Sequence, residues 1–180
     1  MGKKQTYSHN LIHNFALDFI DKYKDSTFFL YCAYTLPHGD FEIPDLGKFA
    51  DSTAWSNDEQ AYAAMVELLD QNIAEIEQKL QEYGISEKTL LVFMSDNGSV
   101  SWQRFDHDGF RANKGSLYEG GIRVPMIVKY PGKIEPGVTN QLAYFADVFA
   151  TLAEMTGTGD NSKYVDGKSL VAVLFNQELL

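Results

Sequence analysis

From Ile12 onward the apolar residues fall at intervals of three and four, at Phe15, Ala16, Phe19, Ile20 and Tyr23. That spacing predicts an amphipathic helix over about residues 8–23, with Asp18, Asp21, Lys22 and Lys24 on its polar face. The pattern then changes. Residues 27–34, Thr-Phe-Phe-Leu-Tyr-Cys-Ala-Tyr, are continuously apolar and aromatic, as in a strand covered on both faces. Pro37 ends the ladder and leaves His38 at the strand's carboxyl end. Residues 41–53, with Pro44, Gly47 and scattered aromatics, read as an irregular surface loop. Ser56-Asn57-Asp58-Glu59 has the form of a capping box. It opens a long helix whose stripe of Tyr62, Met65, Val66, Leu69, Ile73, Ile76 and Leu80 runs to a glycine stop at Gly84. Asp70, Glu75, Glu77 and Glu82 are expected on its solvated faces.

A second strand begins at Thr89 and stops on Asp96-Asn97-Gly98. Residues 99–114 have no clear period and read as a loop that closes over something. Residues 122–130 form a third strand, interrupted near its start by Pro125, and residues 131–137 are turn material. Leu142, Phe145, Ala146, Phe149, Leu152 and Ala153 predict a further helix ended at Gly157, followed by a short apolar helix over 170–175. Strands alternating with helices indicate an α/β layered domain, at least partly parallel. Three visible strands are few for a sheet, since sheets commonly hold about five or six, so the chain is expected to be a piece of something larger.

A length of 180 residues fits one domain of ordinary size. With 44% hydrophobic and 22% charged residues, the composition is that of a soluble globular protein. A net charge of -10 argues against nucleic acid or an anionic membrane as partner. No run approaches the ~20 apolar residues of a membrane span. The lone Cys32, inside an apolar run, reads as a buried inert thiol. The opening Met-Gly-Lys-Lys-Gln-Thr-Tyr lacks the apolar stretch of a secretory signal and gives no compartment.

The candidate chemistry lies at strand ends. In open α/β sheets, ligand sites gather outside the carboxyl ends of the strands, which is where Asp96 and Asn97 fall. Two adjacent side-chain oxygens suit a hard cation such as Ca²⁺ or Mg²⁺, although the same pair can simply make a turn. His38 alone reads equally as a loop histidine, and Lys114 alone as a solvated lysine.

The order of landmarks adds a resemblance. Phe28-Phe29-Leu30-Tyr31 leads to Thr35-Leu36-Pro37-His38, then Tyr62-Ala63-Ala64-Met65-Val66 through Leu69-Asp70, then Ser95-Asp96-Asn97-Gly98. Lys114-Gly115 then runs into Tyr118-Glu119-Gly120-Gly121-Ile122-Arg123-Val124-Pro125, followed by Pro131-Gly132-Lys133-Ile134 and Asp166-Gly167-Lys168-Ser169-Leu170. Over almost its whole length the chain resembles the sulfatases of the alkaline phosphatase superfamily.

That resemblance implies a layered α/β/α sandwich and hydrolysis of sulfate esters by a formylglycine nucleophile and one divalent cation, usually calcium. It implies Asp96 and Asn97 as metal ligands. It implies His38 and Lys114 as catalytic residues that contact the sulfate of a sulfated small molecule or glycan. No role transfers to His9, His13, His107 or Arg111. Glu119 and Arg123 are expected to hold the loop entering the third strand, and Asp147 to be a helix-start or packing residue. Family members are mostly exported.

The nucleophile's Cys-x-Pro-x-Arg signature is not in this chain: Cys32 is followed at plus two by Tyr34 and at plus four by Leu36. The family's amino-terminal Asp pair, and the Lys and His beside the nucleophile, have no counterpart. Residues 1–180 are therefore expected to be part of a catalytic domain, without its amino-terminal nucleophile half and its carboxyl-terminal subdomain. Such a chain would hold the cation weakly, be inactive alone, and need the missing half or self-associate. The alternatives are another hydrolase of the superfamily, a phosphodiesterase or phosphonate hydrolase, and a catalytically dead interaction module.

Overall fold

A computed structural model describes residues 6–100, 109–158 and 165–175. The chain divides into two compact units, residues 1–86 with 100–110 and residues 87–99 with 111–180.

The first unit is built on two helices, α1 (Ser8–Tyr23) and α2 (Asn57–Glu82), which pack against each other. α1 has the expected length and buries Ala16 and Ile20 of its expected stripe, but the buried face is rotated to take in two histidines. His9, His13, Ala16 and Ile20 are buried, while Leu11, Ile12 and Phe15 are exposed. The two histidines find hydrogen-bond partners inside the unit, and a polar group with partners can be buried in place of an apolar one. α2 starts as the capping box requires, Glu59 N–H donating to Ser56 Oγ at 3.2 Å and Ser56 N–H to Glu59 Oε2 at 2.7 Å. It ends before Gly84, whose φ of +63° suits glycine. Met65, Ile76 and Leu80 of the expected stripe are buried, joined by Ala61, Ala63, Ala64, Gln60 and Asn72, whereas Val66 is exposed. Glu75 is not merely solvated; it accepts from His13.

Ile20, Ile76 and Leu80 form the core, with Leu17, Phe28, Leu30, Tyr83 and Ile85 packed on it. Residues 27–34 are extended but join no ladder among the described residues. Their side chains alternate: Phe28, Leu30, Cys32 and Tyr34 are half-buried, and Phe29 and Tyr31 are 73% and 80% exposed. The expected strand is therefore covered on one face within this unit, not two. The 41–53 region is more regular than expected. Its 3-10 turn Gly47–Asp51 packs on α2 and is pinned by the Lys48–Glu67 ion pair at 2.6 Å.

The second unit holds β1 (Leu91–Met94) and β2 (Met126–Lys129), paired antiparallel with Val92 opposite Val128 and Phe93 opposite Ile127. The parallel pairing expected from the strand-helix alternation is not found among the described residues. Among the described residues of the 95–125 connection no helix is longer than about one turn, and the chain doubles back. Residues 119–122 are a short helix, α3 (Glu119–Ile122), and β2 begins only after Pro125, so the third strand is shorter than expected. α4 (Phe145–Thr156) and α5 (Val171–Leu174) pack together, with α4 ending on Gly157 at φ +64°. Leu90, Val92, Met126 and Val128 face Val148 and Leu152 of α4, together with Leu170 and Leu174.

Asp147 begins α4 as a packing residue. It is buried, accepts from Tyr144 N–H at 2.9 Å and from Lys168 N–H at 2.7 Å, and so ties the 166–170 segment to the helix. Thr151 continues the tie by accepting from Leu170 N–H at 2.9 Å. Leu142 lies outside the helix and is exposed, as are Phe145 and Phe149, because the buried face is centred on Asp147 and Thr151.

Candidate functional site

Asp96, Asn97 and Lys114 all belong to the second unit, and His38 to the first. Asp96 and Asn97 follow β1 directly. Asp96 is exposed, and its carboxylate accepts from the side-chain amide of Asn97. Ser95 Oγ donates to Asn97 O at 3.0 Å, which fixes the turn. Among the described residues no cation pairs with Asp96.

The 95–99 turn is locked to the rest of the unit by close backbone approach. Gly98 N–H donates to Gly121 O at 2.9 Å, and a Cβ built on Gly98 would lie 2.0 Å from Gly120 O. Gly120 in turn donates to Arg111 O at 3.0 Å, and a Cβ there would lie 1.9 Å from Ala112 O. Only glycine fits contacts of this kind. Lys114 sits in the turn closed by Ser116 N–H donating to Asn113 O at 3.0 Å, and its own N–H donates to Ser99 O at 2.9 Å. The backbone of Lys114 is thereby fastened to the residue two beyond Asn97, and its ammonium is exposed.

Around this knot, the Arg111 guanidinium stacks over Tyr118 at 3.6 Å, and Arg123 Nη1 donates to Glu119 Oε2 at 3.2 Å across α3. Glu119 and Arg123 thus act as a surface pair on the segment entering β2. His38 is exposed on the loop after Pro37. His107 lies outside the described residues. The glycine contacts have a signal in the chain beyond the motif's spacing: Gly120-Gly121 precede a strand where no turn needs them, which points to close backbone approach.

The donor set fits a hard cation in type but not in number. A carboxylate and a carboxamide oxygen stand on adjacent residues, as Ca²⁺ or Mg²⁺ would use them. Among the described residues no group of three or more His, Cys, Asp or Glu side chains is placed to hold a metal. No helix among them is long and apolar enough to cross a membrane.

Comparison with known proteins agrees with the landmarks. The family model described as Sulfatase matches residues 2–158. A sulfatase of Formosa agariphila is 37% identical over 169 residues, covering 83% of this chain and 30% of the relative. An arylsulfatase of Hemicentrotus pulcherrimus is 34% identical over 178 residues, covering 94% of this chain and 31% of the relative. The crystal structure of Ps i-CgsB in complex with k-i-k-neocarrahexaose superposes with a TM-score of 0.85 at 29% identity, covering 98% of this chain and 40% of that one. The chain therefore spans about a third of the length of the curated relatives it matches and carries part of their layered α/β fold. A match that runs from residue 2 to residue 158 takes in every landmark of the ordered set before Asp166, and this chain belongs to the sulfatase family.

Proposed function

We propose that a longer protein carrying this chain hydrolyses sulfate esters, and that the chain supplies part of the metal and sulfate site. Asp96 and Asn97 would be two oxygen ligands of one Ca²⁺ or Mg²⁺. Lys114 and His38 would contact the sulfuryl group and the leaving oxygen. The observation that carries this reading is the glycine-packed knot. It presents a carboxylate that pairs with no cation among the described residues, and a carboxamide, at the end of β1, and it fastens the backbone of Lys114 to Ser99.

Ester cleavage gathers negative charge on the sulfuryl oxygens and on the departing oxygen. An ammonium whose backbone is fastened, as that of Lys114 is, would stabilise that charge with little reorganisation during the reaction, and a ring N–H of His38 would add a donor. A bound divalent cation would supply further electrophilic stabilisation of the same oxygens. The formylglycine nucleophile and the other ligands would come from polypeptide outside this sequence. A sulfated glycan is the substrate class we favour, because the structural relative Ps i-CgsB was captured with a neocarrahexaose.

The test is a side-by-side rate comparison of an aryl sulfate, a sulfated oligosaccharide and a phosphodiester on the longer protein. Sulfate esters should be hydrolysed fastest, and Lys114→Ala should lower kcat/KM by roughly 10²–10³, the usual loss for one oxyanion-stabilising group. Faster turnover of the phosphodiester, or a Lys114→Ala protein with full activity, would overturn the proposal. By calorimetry this chain alone should bind Ca²⁺ no more tightly than about millimolar, since affinity follows ligand number and charge.

A further inference from the structure

Apart from the residues given a role in sulfate-ester chemistry, the first unit encloses a polar cluster built around two histidines. His9 and His13 lie one turn apart on α1 and are 1% and 3% exposed. His9 Nε2 is 2.7 Å from Asn72 Oδ1. An amide oxygen only accepts, so Nε2 carries the proton and Nδ1 of the neutral ring is a bare acceptor. That Nδ1 is buried and has no hydrogen-bond partner among the described residues. His13 differs, with Nδ1 2.8 Å from Tyr34 Oη and Nε2 2.9 Å from Glu75 Oε2. Its two nitrogens are satisfied in either protonation state, because the tyrosine hydroxyl can donate or accept.

The groups facing His9 come from three elements. Tyr7 and His13 stand on its own side, with Tyr7 at 6.2 Å between ring centroids and under the influence of Glu42. α2 brings Asn72 and Glu75, the latter engaged by His13. The extended 27–34 segment brings Tyr34, edge-on to His9 at 4.9 Å, and Cys32, which bonds Tyr34. Burial pushes the Tyr34 phenol and the Cys32 thiol up, so both stay neutral. No carboxylate among these groups is free to pair with a charged His9.

We propose that this cluster is an acid-sensitive latch, in which uptake of a proton at His9 Nδ1 expels the ring from its site and releases α1 from α2 and from Tyr34. A protonated Nδ1 would be a charged donor with no acceptor among the described residues, and a buried charge without a partner is strongly disfavoured. The direction of titration agrees. Burial, the largest influence, holds His9 below its ordinary value of 6.5; the Asn72 acceptor opposes this and the charge of His13 adds to it. With the folded value lower than the unfolded one, the contribution of His9 to stability is whole above about pH 6.5 and is lost as the pH falls below it.

The experiment follows the histidine ring resonances and the amide hydrogen exchange of the full chain between pH 7.5 and 4.5, corrected for intrinsic exchange. His9 should resist protonation below its ordinary range, and the amides of residues 8–23 should lose protection together at the pH where it titrates. In chemical denaturation the folding constant of the wild type should fall, per pH unit below about 6.5, by up to about tenfold more than that of His9→Gln. The glutamine can still donate to Asn72 and cannot be charged. Titration of His9 near 6.5 with α1 still protected, or equal pH dependence in the wild type and His9→Gln, would overturn the latch. Where His9→Gln does not fold, the wild-type titration and exchange decide alone.

Discussion

Asp147 shows how one side chain can hold two segments in place. Its carboxylate is 4% exposed and accepts from Tyr144 N–H at the start of α4 and from Lys168 N–H twenty-one residues on. Asp147→Ala takes the acceptor away from two N–H groups in part-buried bonds and should destabilise the second unit by roughly 1–3 kcal/mol, short of two full burial penalties because water can reach the donors. Asp147→Asn keeps one acceptor oxygen and should cost less. Chemical denaturation of the two variants measures the difference, and equal midpoints would refute the two-donor account. The sequence placed this residue at a helix start, because the apolar period of the following helix frames it. The motifs that hold Asp96, Asn97 and Lys114 stand out in the chain for a similar reason, being short and local. Of the contact between Gly98 and Gly120 only the unexplained pair Gly120-Gly121 showed, because the partners lie far apart in sequence and leave no periodic trace.

At the scale of elements, helix lengths were readable and helix faces only in part. α2 begins and ends where its capping box and Gly84 put it, both being local signals. α1 and α4 instead turn polar residues inward, His9 and His13 in one and Asp147 and Thr151 in the other, and leave Phe15, Phe145 and Phe149 exposed. Hydrophobic period reports which face is apolar, but a polar residue with a distant partner can take the buried position. The strand reading of residues 27–34 failed on the same ground, since pairing depends on neighbours that a local pattern does not record. Among the short elements, α3 shows the tightest fit. A Cβ on Gly120 would meet the backbone oxygen of Ala112 at 1.9 Å, and no rotamer can relieve a clash between backbone atoms. Gly120→Ala should therefore cost roughly 3 kcal/mol or more and shift the amide resonances of residues 111–116, the turn that carries Lys114. Unchanged resonances there would show that the turn is held by something else.

For the molecule as a whole, the informative feature is what its two units leave uncovered. In the first, the extended 27–34 segment turns Phe29 and Tyr31 outward and pairs with no strand among the described residues. In the second, Ile127 on β2, Leu142, Phe145 and Phe149 are exposed. Isolated apolar residues on a surface mean little, but an unpaired extended segment with an aromatic face is a template for another chain. In a longer sulfatase such a face would be covered by the rest of the domain. In the 180-residue chain by itself the same physics should drive self-association that rises with concentration, visible in sedimentation velocity as species heavier than 20.3 kDa. Tyr31→Lys separates this from general instability. The side chain at position 31 is 80% exposed, so the substitution should leave the unfolding midpoint within about 0.5 kcal/mol. A lysine on an unpaired edge also opposes the docking of a second strand. The variant should therefore remain monomeric at concentrations where the parent chain associates. A parent chain that is monomeric throughout, or a Tyr31→Lys protein that associates equally well, would show that this edge is not what drives assembly.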